Sequence, residues 1–203
     1  MVTKSNWKFL IKICAFRRRS VSEGKEGMRL FMKLLMHTCC APCSIYCIET
    51  LRNEGIEPTL YWYNPNIHPY KEYEARRDTL KEYSKMININ AIFEEDYGLK
   101  NFCKNVIDDL DNRCSNYCYK VRLEQTAKYA KEHGYDAITT TLFVSPYQKH
   151  EAIKKITSEI AKKYDLEFVY RDFRVGFREG QAKARELRII YAKILRLYIF
   201  RGG

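Results

Sequence analysis

Met32-Lys33-Leu34-Leu35-Met36-His37-Thr38-Cys39-Cys40-Ala41-Pro42-Cys43 is the stretch whose reading decides the fold. Lys33–His37 is a short aliphatic run of strand type, and a helical pattern follows over 43–54. Moving outward, the same alternation repeats. Strand-like runs recur at Thr59–Tyr63, Asn90–Phe93, Ala137–Thr141 and Glu167–Tyr170, rich in β-branched, aromatic or aliphatic residues. Helical patterns fill the intervals at 70–86, 97–108, 116–133, 148–164 and 178–193. Strands separated by helices require right-handed crossovers and a parallel sheet covered on both faces. The sequence therefore predicts a single-domain, Rossmann-like α/β fold with a mainly parallel sheet of about five strands.

The 203 residues suit one domain with a sizeable core. No apolar run reaches the roughly 18 residues that would span a membrane, and the N-terminus lacks a secretory pattern. A cytoplasmic location is expected. There, thiols stay reduced, so the 8 cysteines point to metal binding or redox chemistry before disulfides. The net charge of +11 invites a nucleic-acid partner. Its distribution weakens that inference: residues 1–31 carry +6, residues 188–203 carry +4, and residues 32–187 only +1. Local patches must supply any RNA contact.

In open parallel sheets, sites form beyond the carboxyl ends of strands. The first strand runs into Cys39-Cys40-x-x-Cys43, which opens a helix, where thiolates are favoured. Cys114-Ser-Asn-Tyr-Cys118 opens another helix. Four thiolates from two loops suit either zinc or a cubane iron–sulfur cluster, and spacing leaves both open. An adjacent Cys-Cys pair is unusual for structural zinc. Cys47 reads as packing and Cys103 as core. Arg76, Arg77 and Arg122 lie on helical patterns, where a solvated face is the default. His37 ends a strand as a hydrogen-bonded supporting group. His68 and His150, in loops or at helix starts, divide evenly between structural and catalytic readings. Thr139-Thr140-Thr141 are strand formers whose hydroxyls could also meet a polar ligand.

HTCCAPCS, WYNPNIHPYKEYEARR, CYKVRLEQTA, GYDAITTTLFVSPYQKHEAI and FVYRDFRVGFREG stand in this order from Met32 to about Leu187. With these segments the chain resembles the QueH family of epoxyqueuosine reductases. The resemblance implies reduction of an epoxide on a modified base at the tRNA wobble position, the last step of queuosine synthesis. It implies a [4Fe-4S] cluster on Cys39, Cys40 and two later cysteines. Cys118 matches one of these, followed by Tyr119, Arg122 and Leu123 as the family pattern requires. The family spacing places the other ligand at Ser115, where this chain offers Cys114 one residue earlier.

The family also ends in a Cys-Gly-Cys motif, expected to form a redox-active disulfide. Residues 188–203 contain no cysteine. One permitted back-translation of residues 190–203, read one base later, gives YMQKYCGCIFSEE, so a frameshifted tail is expected at 188–203. Residues 1–31 precede the match. Glu23-Gly24-Lys25-Glu26-Gly27 can be encoded entirely by purines, including AAGGAGG, which is similar to a bacterial ribosome-binding sequence. An extraneous or disordered extension is expected there, with translation starting within 28–32.

Reducing an epoxide to an alkene takes two electrons and two protons and releases water. A cluster passes one electron at a time, and a dithiol delivers two. Cys43 is the candidate to assist, as ligand to a second iron. Tyr147, His150 and Asp172 are the candidate proton donors. The expected partners are tRNA, presenting an anticodon loop that carries epoxyqueuosine, and an external electron donor. Tyr63, Tyr70, Arg76, Arg77 and Lys149 are the candidate contacts to that unstacked strand. Two other classes compete: a zinc-stabilised tRNA-binding protein without redox activity, and an ATP-using sulfur-transfer enzyme. The second is disfavoured because no Ser-Gly-Gly-x-Asp-Ser phosphate loop follows the first strand.

Overall fold

Four consecutive buried residues, Leu34, Leu35, Met36 and His37, make up β1 (Leu34–His37), the burial pattern of a strand covered on both faces. The computed structural model describes residues 32–187 and Ile189; the expectations for residues 1–31 and for the tail lie outside the described residues. β1 occupies the centre of a five-stranded sheet ordered β3-β2-β1-β4-β5. Its neighbours are β2 (Thr59–Trp62) and β4 (Ala137–Thr140), with β3 (Ala91–Phe93) and β5 (Glu167–Phe168) at the edges. Every pairing is parallel.

Six α-helices join and flank the strands among the described residues: α1 (Ala41–Asn53), α2 (Tyr70–Met86), α3 (Leu99–Val106), α4 (Tyr119–Glu132), α5 (His150–Lys163) and α6 (Phe177–Glu186). From β1 the chain steps to β2 and β3 on one side, then returns to β4 and β5 on the other. Right-handed crossovers therefore put α1 and α2 on one face and α4 and α5 on the opposite face. The packing agrees: α1 meets α2 and α6, while α4 meets α5. This is the predicted α/β architecture. The reversal of strand order falls between β1 and β4, where ligand crevices open in such sheets.

Local chemistry sets the element ends. α1 carries a proline in its first turn, where the missing N–H costs nothing, and Cys40 precedes it in an extended conformation. α3 starts later than the predicted 97–108, because Gly98 turns the chain with φ 59. A Cβ on Gly98 would also lie 2.7 Å from Pro65 Cβ. Cys114–Cys118 forms a single π turn leading straight into α4. β5 is shorter than predicted, since only Glu167 and Phe168 join the ladder. Gly176, Gly180 and Ala184 are buried at four-residue spacing, and the two glycines bring α6 and the turn before it against Tyr46 of α1.

Candidate metal centre

The loop after β1 carries Cys39 and Cys40, and the first turn of α1 carries Cys43. Their three sulfurs lie within 4.8 Å of one another, and all three residues are buried. The Cys39 and Cys40 sulfurs are 3.9 Å apart. Thr141, just beyond β4, holds this loop across the crevice: its Oγ1 accepts from Cys39 N at 3.3 Å and donates to Cys39 Sγ at 3.6 Å. Asn64, just beyond β2, donates to the Thr38 carbonyl at 3.0 Å. His37 bridges the same strands, with Nδ1 2.9 Å from Thr140 Oγ1 and Nε2 3.3 Å from Asn64 Oδ1. Burial, then the nearby Arg122 charge, lowers the His37 ring to about 3, so it is neutral at physiological pH.

The thiols divide their protons unequally. Sulfur contacts with Cys40 and Cys43 hold the Cys39 thiol well below its ordinary value against the cost of burial. The contact with Cys39 pushes Cys40 up to about 12, and contacts with Cys39 and Cys40 push Cys43 well above the ordinary thiol range. The set thus carries one favoured thiolate, at Cys39. A second pair repeats the arrangement. Cys118 lowers the half-buried Cys114 to about 6, while Cys118 itself is raised by that contact and by burial.

Two arginines serve these thiols. Arg122 is only 5% exposed, and its Nε donates to the Cys118 carbonyl at 2.7 Å. Burial lowers its guanidinium, opposed by the charges of Cys39, Cys118 and Cys114. The solvated-face expectation for Arg122 is thereby corrected: Cys118 and Arg122 are four residues apart on a helix and share its inward face. Arg76 donates from Nε to the fully buried Glu72 at 2.6 Å. Burial works against the Arg76 charge, but Cys40, Cys39 and Glu72 outweigh it and hold it above its ordinary value. Neither Arg122 nor Glu72 stood among the sequence candidates, although each lies four residues from a motif residue on its own helix.

The remaining candidates spread around this centre. Tyr63 is half-buried, pushed up to about 12 by burial, then by Asp96, Glu94 and Tyr117, the last lying between the second cysteine pair. Tyr70 is exposed, with ring contacts to Tyr73 and Tyr97 at 6.2 and 5.2 Å. His68 packs against the Tyr97 and Phe102 rings. Arg77 is held by Asp78, Glu95 and Glu74. Lys149 is exposed and its charge reaches Cys114. Tyr147 is 81% exposed, edge-on to Phe177. His150 is buried, its Nε2 2.9 Å from Tyr170 Oη. Asp172 pairs with Arg174, which lowers its carboxyl to about 2. Cys47 is fully buried and donates to the Cys43 carbonyl at 3.3 Å, as packing requires. Cys103 is exposed, correcting the core expectation: on α3 the buried residue is Val106.

Comparison with known proteins adds a family. Residues 34–193 match the family model described as "Epoxyqueuosine reductase QueH". A protein of that name from Dehalococcoides mccartyi is 37% identical over 149 residues, covering 73% of this chain and 81% of the relative. Its namesake from Thermotoga maritima is 31% identical over 166 residues, covering 77% and 83%. That from Histophilus somni is 36% identical over 162 residues, covering 77% and 65%.

Proposed function

The chain belongs to the epoxyqueuosine reductase QueH family, and on that footing we propose that it reduces epoxyqueuosine to queuosine at the wobble position of tRNA, in the cytoplasm. The observation that carries this reading is the buried group of Cys39, Cys40 and Cys43 at the end of the central strand, whose sulfurs lie within 4.8 Å of one another. On the α4 side, the buried Arg122 is tied to the second cysteine pair by its Nε, which donates to the Cys118 carbonyl at 2.7 Å. Soft sulfur donors with a ready thiolate in each group fit a thiolate-bound metal. Cys39, Cys40, Cys114 and Cys118 would hold a [4Fe-4S] cluster, which when bound would supply electrons one at a time from an external donor.

The chain's own residues would do the rest. Arg76 and Arg122 offset the thiolate charge. Cys43 stands beside the Cys39–Cys40 pair and is the group to take a second iron, releasing its proton as it binds. Tyr147 and His150 are the proposed proton sources. Asp172, ionised by Arg174, is the least suited of the three. Tyr63, Tyr70 and Lys149 offer ring faces and a charge to an unstacked anticodon loop. Arg77 is committed to carboxylates and Arg76 to the thiols, so both would contribute to RNA binding indirectly.

Anaerobic purification with iron and acid-labile sulfide analysis, paired with turnover of tRNA carrying epoxyqueuosine, tests this reading. Iron and sulfide are the expected result, with conversion to queuosine much reduced in the chain as it stands, which lacks the Cys-Gly-Cys pair. A second reading has its own observation: three sulfurs within 4.8 Å also suit a single zinc ion in a tRNA-binding protein without redox activity. Zinc with no sulfide and no conversion would favour it.

A further inference from the structure

Tyr147 and Val175 are the most exposed large apolar side chains among the described residues, at 81% and 82%. Tyr147 lies in the segment after β4, and Val175 in the turn Phe173–Gly176 after β5. The two loops meet where Tyr147 packs edge-on to Phe177 at 5.8 Å. A loose loop does not explain the exposure. Tyr147 N donates to Ser145 Oγ at 3.3 Å, and Gln148 N to the Ser145 carbonyl at 3.3 Å. The next two residues are tied to Tyr119, whose hydroxyl donates to Gln148 Oε1 at 2.7 Å and accepts from Lys149 N at 3.3 Å. Tyr119 directly follows Cys118, so the loop that presents the ring to water is pinned to the helix of the second cysteine pair. Residues 141–150 and 173–178 contain no Asp or Glu. Of the acids bordering them in sequence, Asp172 pairs with Arg174 and Glu179 with Lys183, which leaves Glu151. Lys149 and Arg178 are exposed, and neither makes an ion pair among the described residues.

We propose that Tyr147 is a stacking platform for an unpaired RNA base next to the modified one, with Val175 as a second apolar contact and Lys149 and Arg178 on the flanking phosphates. The proposal rests on the reading that tRNA is the substrate. Single strands are captured by aromatic faces, on which any base stacks, beside cations that follow the backbone. A ring already held outward on a fixed loop loses little freedom when a base settles on it. The platform needs the ring of Tyr147, whereas a proton source needs its hydroxyl, so one substitution separates the two roles.

The test is binding of the full-length chain to a fluorescein-labelled single-stranded RNA heptamer with 5-iodouridine at its centre, read by anisotropy and by ultraviolet crosslinking with peptide mapping. Tyr147→Ala is expected to weaken binding about tenfold, the usual effect of removing one stacking ring, and Tyr147→Phe to stay close to the unmodified chain. Lys149→Gln and Arg178→Gln should each flatten the dependence of log affinity on log salt by about 0.7, the share of one phosphate contact on a single strand. The main crosslink is expected on the peptide that contains Tyr147. Unchanged affinity in Tyr147→Ala, equal losses in Tyr147→Ala and Tyr147→Phe, or crosslinks confined to residues 1–31 and 188–203 would overturn the platform and leave this face to a protein partner. Circular dichroism of each variant checks folding. Binding that survives Tyr147→Ala defeats the platform alone, whereas a chain that binds no RNA in any form defeats the tRNA reading beneath it. Zinc in place of a cluster would defeat the redox reading and leave this result standing.

Discussion

Thr141 and Cys39, 102 positions apart in sequence, exchange two contacts: Cys39 N donates to Thr141 Oγ1 at 3.3 Å, and that hydroxyl donates to Cys39 Sγ at 3.6 Å. One side chain at the end of β4 thus fixes both backbone and sulfur of the cysteine loop at the end of β1. Thr141→Val keeps the shape and removes the hydroxyl, leaving a buried N–H without its partner. Urea denaturation of the metal-free chain is expected to show a loss of roughly 1–3 kcal/mol. A loss near zero would mean that the loop holds itself.

Iron and sulfide content separates the cysteines. Cys39→Ala and Cys118→Ala are expected to lose most bound iron and sulfide. Cys47→Ala, whose thiol only caps the Cys43 carbonyl inside α1, should retain both. Metal analysis of the three variants, purified side by side without oxygen, checks this.

Tight packing between α6 and α1 makes Gly176 a sensitive position. Its φ of −96° suits any residue, so the constraint is steric: an added Cβ would lie 2.1 Å from the Tyr46 ring. Gly176→Ala is expected to cost roughly 1–3 kcal/mol, the usual penalty for overpacking. Tyr46→Ala in the same chain should recover part of it; two additive losses would count against the contact.

Acid weakens the pair at the start of the turn before α6. Arg174 lowers the Asp172 carboxyl to about 2, below its unfolded value of 3.8. The carboxylate therefore stabilises the fold above that unfolded value, and its contribution fades as pH falls from 3.8 toward 2. The pair is well exposed, so Asp172→Asn should cost no more than about 1 kcal/mol at neutral pH. The gap between variant and unmodified chain should close across that acid window in denaturation curves; a gap independent of pH would assign the effect to the helix cap instead.

The alternative tail offers a gain-of-function test. Replacing residues 190–203 with YMQKYCGCIFSEE supplies a dithiol able to deliver two electrons. Turnover of tRNA carrying epoxyqueuosine is expected to rise above that of the chain as it stands. No rise would remove the frameshift as an explanation of function.

Much of the architecture was legible because strands β1 to β4 are short apolar runs separated by amphipathic helices, a pattern set by burial on both sheet faces. β5 was overdrawn because Val169 and Tyr170 look like strand residues. Val169 still bonds to the Ile138 carbonyl at 3.0 Å, yet Tyr170 turns its hydroxyl to His150. Within the centre, the cysteines were visible as types and spacings. Their charged supports were less so, because an arginine reads as solvated until its helix is docked. Arg122 and Glu72 were recoverable in principle from four-residue spacing to Cys118 and Arg76. The Thr141 contact was not, since only the β1–β4 pairing makes it.

That pairing also sets a timetable. Cys39 leaves the ribosome 102 residues before the threonine that shelters it, and β1 cannot gain its second neighbour until β4 has been made. At bacterial-type synthesis speeds of 5–20 residues per second, the interval is about 5 to 20 seconds. During it the vicinal thiols sit on an incomplete sheet, open to any oxidant or stray metal that arrives first. Any metal this centre takes would then be seated late, after the chain has closed its middle strand.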